Sequence, residues 1–187
     1  MTKPTKQDVW YVARVALILL VICAFVAVLL AGVHLLTRDR IAAAKQAATD
    51  AAIAALFADA ETELVTLPTA VADVTAVYAV TQNESAAGYA VAVAPQGYKD
   101  AVSMLVGITP DGCVCGVQVV SHSETSGIGT RVLAADYLAR YTGLSGALTL
   151  GNEVDGVTGA TVTSRAVLVG VNAALAAVRT LQEGVSA

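Results

Sequence analysis

Asp155-Gly156-Val157-Thr158-Gly159-Ala160-Thr161-Val162-Thr163-Ser164 sets four hydroxyls and two glycines where a loop runs into an apolar helical stretch. The first turn of a helix has backbone N–H groups without intrahelical partners, and the helix dipole makes that end partly positive. A Thr or Ser placed there can do two things. It can cap the helix with its own oxygen, or it can stand beside a bound phosphate that the free N–H groups hold. The residue types leave both open for Thr158 and Thr161, with Thr163 one step further in. Upstream, Ser121-His122-Ser123-Glu124-Thr125-Ser126-Gly127-Ile128-Gly129-Thr130 is a second polar loop with two glycines. His122 and Glu124 are its ionisable side chains. However, the chain's other histidine is His34, within an apolar run, and no Ser/His/Asp set is paired, so hydrolytic catalysis has no support. Cys113-x-Cys115 lacks a nearby third and fourth ligand, so no metal site is expected. The pair reads as structural, with reversible pairing as the other use if the domain is exported.

The elements that would position these loops follow from periodicity. Val74–Val80 and Gly88–Val93 are short β-rich runs on either side of Gln82-Asn83-Glu84-Ser85, a hairpin pattern. Ala101–Ile108 and Val114–Val120 flank Pro110-Asp111-Gly112, which suits a tight turn. Arg131 to about Tyr141 reads as a helix, and Gly143–Gly156 as a glycine-rich connection. From Thr161 to Leu181 the apolar residues Val167, Val171, Ala174, Val178 and Leu181 recur at helical spacing. The fold class expected is α+β: an antiparallel sheet packed by helices.

Val15–Leu36 carries no formally charged side chain over 22 residues. As a helix it would be about 33 Å long, enough to cross a bilayer core. Trp10 and Tyr11 precede it at the level where aromatic rings favour the lipid–water boundary. The run exceeds the length of a cleaved signal core and lies before Arg38, Asp39 and Arg40, so it reads as an uncleaved anchor. The Ala-rich stretch Ile41 to about Phe57 continues as a helix, with Pro68 at or beyond its end. The organisation expected is a cytoplasmic tail 1–14, a transmembrane helix 15–36, an extracytoplasmic connecting helix 37–67, and a folded domain 68–187. Basic residues close to the span are nearly balanced between its two ends. Yet residues 1–40 have net charge +3 and residues 41–187 net −7. An acidic domain is repelled by anionic cytoplasmic lipid, which puts the N-terminus inside and the domain outside. The same acidity speaks against nucleic acid as a partner.

Taken together, the chain resembles the membrane-anchored FMN-binding subunits of bacterial ion-pumping redox complexes. Asp155-Gly156-Val157-Thr158-Gly159-Ala160-Thr161 matches that family's flavinylation pattern, supported by Gly97-Tyr98, Pro110-Asp111-Gly112 and His122-x-Glu124-Thr125-x-Gly127-x-Gly129. The likeness covers about residues 88–181. It departs at Ser126, where the family commonly has proline, and at Lys99-Asp100, where a glycine-rich stretch is frequent. The resemblance implies FMN joined through its phosphate to Thr161, a phosphoester made by a separate flavin transferase. It implies Asp155 as the residue that the transferase reads. Thr158, Gly159, Ala160, Thr163, Thr125 and Gly127 are then expected around the cofactor, with Thr163 the fallback acceptor, while His122 and Glu124 either border the isoalloxazine or hold the loop. Within the family the chain looks most like the G subunits of Rnf-type ferredoxin:NAD complexes in a bacterial plasma membrane. The C subunits of Na⁺-pumping NADH:quinone reductase are the alternative. Such a subunit carries electrons among other membrane and redox subunits and performs no catalysis alone. A membrane-tethered sensor or adhesion module without a cofactor is the reading from another class.

Overall fold

The computed structural model describes residues 6–58, 60–65, 67, 70–82 and 85–185. Its elements are α1 (Lys6–Leu56), β1 (Glu61–Val65), β2 (Val74–Gln82), β3 (Ser85–Val93), β4 (Ser103–Ile108), β5 (Val114–Ser121), α2 (Ala135–Leu138) and α3 (Thr161–Val185). The chain divides into two compact units, 1–46 and 47–187. In the first unit α1 exposes its apolar side chains almost throughout, Leu17, Leu20, Phe25 and Leu30 among them. From Arg14 onward, α1 is long and apolar enough to cross a membrane. Arg14 lies 5.7 Å from the ring centre of Trp10. Thr37 spends its hydroxyl on the Val33 carbonyl one turn back, at 2.9 Å, which hides the polar group within an apolar helix.

The second unit is a five-stranded sheet in the order β1-β2-β3-β4-β5, antiparallel throughout. Both expected hairpins are present. Residues 83 and 84 of the first turn lie outside the described residues, as do Asp59 and Pro68. In the second turn the Thr109 N–H donates to Cys113 O at 2.8 Å and the Gly112 N–H to Thr109 O at 2.9 Å. Because side chains alternate across a strand, the register sorts the residues into two layers. Val77, Val91, Val106 and Val117 are cross-strand partners in one row, and all four are buried. They form the main core with Val167, Val171, Ala174 and Val178 of α3.

In the next row, which faces the other way, Ala90, Gly107 and Gly116 are all small. The end of α1 fills it. A Cβ on Gly116 would come within 2.7 Å of Leu56 Cδ2, and one on Gly107 within 3.2 Å of Phe57 Cε2. Ala52 and Ile53 complete this second core with Val80, Ala90 and Leu105. The sheet is therefore covered on both faces, which explains why β4 is buried along nearly its whole length.

Two differences from the sequence expectations have clear causes. The segment expected to be a helix over 131–141 is broken into a 3₁₀ turn Gly129–Arg131, the four-residue α2 and a 3₁₀ turn Ala139–Tyr141. Ala134 is extended (ψ 147°), and this break lets Val132, Tyr137, Leu138 and Tyr141 all join the core. Tyr137 and Tyr141 meet edge to face at 6.2 Å. Burial, above the neighbouring Tyr137, pushes the Tyr141 phenol well above its ordinary range. The strand β1 was not expected because Glu-Thr-Glu-Leu-Val has no buried face. It is an exposed edge, held by pairing with β2.

The connection from 143 to 156 is pinned by Asn172 of α3, whose amide donates to Leu148 O at 2.8 Å and accepts the Leu148 N–H at 2.9 Å. Asn172→Ala removes both bonds and leaves partly buried backbone groups unpaired. It should cost about 1–3 kcal/mol in chemical denaturation of the full chain. A loss below a few tenths would mean that the loop is held elsewhere. A second expectation concerns Cys115, on β5 against Gly107. Burial raises its thiol above the usual value, and only the thiolate is nucleophilic. At pH 8 Cys115 should alkylate more slowly than a cysteine in an unfolded peptide, with the gap narrowing as pH rises. Equal rates at pH 8 would contradict this.

Candidate functional site

Three segments converge on one end of α3. The first is a tight turn after β3. Gln96 bridges Ala101, the Gly97 N–H donates to Asp100 O at 3.0 Å, and the Val102 N–H to Pro95 O at 2.9 Å. Tyr98 is held at the tip and is 71% exposed. The second segment is the loop after β5, where Thr125 O accepts the Ile128 and Thr130 N–H groups and the Gly127 N–H donates to Thr130 Oγ1 at 2.9 Å.

The third is the entrance to α3. The Ala160 carbonyl accepts the Ser164 N–H at 2.9 Å and also the Ser164 hydroxyl at 3.1 Å, while Ser164 Oγ accepts the Val157 N–H at 3.1 Å. These bonds fix the loop before the helix without using Thr158 or Thr161, so neither threonine caps α3. The hydroxyl of Thr161 bonds nothing among the described residues. Its side chain is exposed at the first helical position.

Glu124 ties the three segments together. It is the one buried charged side chain among the described residues. Its Oε1 accepts the N–H groups of Tyr98 (2.8 Å) and Lys99 (3.2 Å), and its Oε2 accepts the Thr163 hydroxyl at 2.7 Å. Two glycines allow the carboxylate this position. A Cβ on Gly97 would lie 2.5 Å from Oε1, and one on Gly129 2.5 Å from Oε2. The open cleft between these segments has a volume of about 560 Å³ and is lined by Tyr98, Glu124, Thr125, Ile128, Gly129 and residues 159–163. That is within the range of small-molecule cofactor sites.

Of the residues singled out in the sequence, Glu124, Thr125, Gly159, Ala160, Thr161 and Thr163 line this cleft. Thr161 and Thr163 differ sharply: the first is open, while the second is 2% exposed with its hydroxyl committed to Glu124. His122, Gly127, Asp155 and Thr158 are exposed on the adjoining loops and do not line the cleft. Tyr98, Ile128 and Val162 were not expected to line it. Their signal is available in retrospect. Each is a large apolar or aromatic residue beside a motif glycine or threonine, and they are 71%, 52% and 51% exposed.

A family model described as an FMN-binding domain matches residues 97–176, the span that contains every wall of this cleft. A second, the RnfG N-terminal region, matches residues 11–56. The chain is thus similar to an FMN-binding domain over residues 97–176 and to an RnfG N-terminal region over residues 11–56. Among its relatives is the G subunit of the ion-translocating oxidoreductase complex of Vibrio vulnificus strain YJ016. It is 36% identical over 120 residues, which cover 57% of this chain and 56% of the relative. Another is the G subunit of the proton-translocating ferredoxin:NAD(+) oxidoreductase complex of Clostridium ljungdahlii, 33% identical over 57% of this chain and 62% of the relative. The chain therefore spans somewhat more than half the length of these relatives. Among solved structures, the NqrC of Shewanella oneidensis is 27% identical and covers 52% of this chain and 53% of that one, with a TM-score of 0.47.

Gly129→Ala should drive a methyl group into a carboxylate that three hydrogen bonds hold in place. The expected cost is about 1–3 kcal/mol, read as a lower thermal midpoint of the purified full chain. An unchanged midpoint would show that Glu124 is free to move aside.

Proposed function

We propose that this chain is an electron-transfer subunit of a membrane-bound, Rnf-type ion-translocating ferredoxin:NAD oxidoreductase, carrying FMN joined by a phosphoester to Thr161. The observation that carries this reading is the pairing of an FMN-binding domain match with a cleft in which the open hydroxyl of Thr161 lies at the N-terminus of a 25-residue helix. The names of the relatives supply the complex.

The residues present suit the cofactor. The first-turn N–H groups of α3 and its dipole favour a phosphate next to Thr161. Arg165, one turn on and exposed, belongs to the same helix face and adds positive charge there. Apolar side chains of Tyr98, Ile128 and Val162 border the remainder of the cleft and suit a planar ring system. Thr163 is a poor acceptor because its hydroxyl is buried and donated to Glu124. Bound FMN supplies reversible electron uptake, and the chain contributes its attachment, orientation and electrostatic setting. On this reading the chain catalyses nothing by itself and works with the other redox and membrane subunits, after a flavin transferase has loaded it. Asp155, exposed on the loop before α3, is accessible to such an enzyme.

The apolar α1 associates the protein with a membrane. A single crossing with the basic tail in the cytoplasm and the acidic flavin domain outside agrees with the charge asymmetry. Tethering the cofactor would also prevent its loss where no pool could replace it.

The test is co-expression of the full chain with a flavin transferase. The denatured band should fluoresce and gain the mass of an FMN ester, and Thr161→Ala should lose both signals completely while Thr158→Ala keeps them. A dark, unmodified wild-type band sinks the redox reading. A flavinylated Thr161→Ala protein refutes the attachment site alone.

A further inference from the structure

Given FMN in this cleft, we propose that Glu124 is a positioning residue whose fixed negative charge lowers the reduction potential of the flavin. The inference rests on the flavin reading above and extends it to how the site is tuned. Three observations support it. Glu124 lines the cleft yet is only 7% exposed, so anything filling the cleft meets a charge that solvent screens little. It is the one buried charged side chain among the described residues, and no buried cation there offsets it. The exposed Lys99, Arg131 and Arg165 near the cleft are within reach of water and salt. Finally, its three partners all donate to it: two backbone N–H groups and one hydroxyl. They hold the carboxylate in place without neutralising its net charge.

Reduction of the flavin adds two electrons and one proton, a net gain of one negative charge on the ring. In the complex the electrons come from a partner redox centre, and in the test from dithionite. A fixed anion beside the ring opposes that gain and makes the bound flavin a stronger reductant. The same three bonds hold the Tyr98 turn and the start of α3 in one frame. Glu124 thus acts through geometry as well as charge.

Two variants separate these roles. Glu124→Gln keeps the length and can still accept the Tyr98 and Lys99 N–H groups, while turning the Thr163 bond around. Glu124→Asp keeps the charge but withdraws it by one methylene. Full-length proteins loaded by a flavin transferase are titrated with dithionite against reference dyes. Loading is read as fluorescence of the denatured band and folding as a thermal midpoint. We expect the potential of Glu124→Gln to lie above that of the wild type and that of Glu124→Asp to fall between them. A purely structural role would lower the thermal midpoints and leave the potentials together. A loaded Glu124→Gln protein at the wild-type potential overturns the proposal while leaving the flavin reading intact. A folded but unloaded Glu124→Gln protein also overturns it, since the charge would then serve attachment. If Glu124→Gln does not fold, Glu124→Asp decides: an upward shift supports the proposal and no shift refutes it. A wild type that takes up no flavin removes both readings.

Discussion

A carboxylate withdrawn from water costs several kcal/mol unless donors replace its hydration, and the fold around Glu124 supplies them from two other segments. Two come from a turn after β3 and one from α3. These segments and the Glu124 loop are far apart in sequence, and the shape of the cleft depends on their meeting. The sheet brings the β3 and β5 loops to the same end, and α3, packed across β2, β3 and β4, delivers its N-terminus there. Gly97 and Gly129 are the sites where a side chain would crowd the carboxylate. The site is thus built by long-range contacts among loops, each too short to hold its own shape.

The division of labour among the hydroxyls follows from the same arrangement. Four of them cluster in one decapeptide, yet each has a distinct environment. Ser164 is wholly buried and stitches the preceding loop to the helix. Thr163 is buried and holds Glu124. Thr158 stands outside the cleft, and Thr161 stands open within it. Helical geometry accounts for the contrast between Thr161 and Thr163, which lie about 200° apart around α3. An attachment signal can therefore be rich in hydroxyls and still present one.

Much of this was legible in the sequence, and the boundary of legibility is physical. The two hairpins and α3 were readable because their apolar periodicity is local: Val167, Val171, Ala174 and Val178 announce a buried face without reference to anything else. Thr161, Thr163 and Glu124 were readable as a motif. Their roles were not, because burial and partnership across 39 residues leave no local trace. Strand β1 and the broken segment around Ala134 were missed for a related reason. Glu61–Val65 is a strand only because β2 pairs with it, and Ala134 is extended only because Val132, Tyr137 and Tyr141 must all reach the core. Ile128 and Val162 look like ordinary apolar residues until the fold leaves them exposed around one cleft, and Tyr98, legible as part of a motif, takes its place there only through the turn that holds it.

The small-residue row Ala90-Gly107-Gly116 has one more implication. Its glycines leave a shallow trough on the back of the sheet, and Leu56 and Phe57 occupy it. The compact unit that holds the cleft thus begins within α1, near residue 47, in advance of any loop. A soluble version cut where the helix ends would bare Leu105, Val80 and Ala90 to water and invite aggregation. The last turns of α1 are as much the third layer of the domain as they are its stalk.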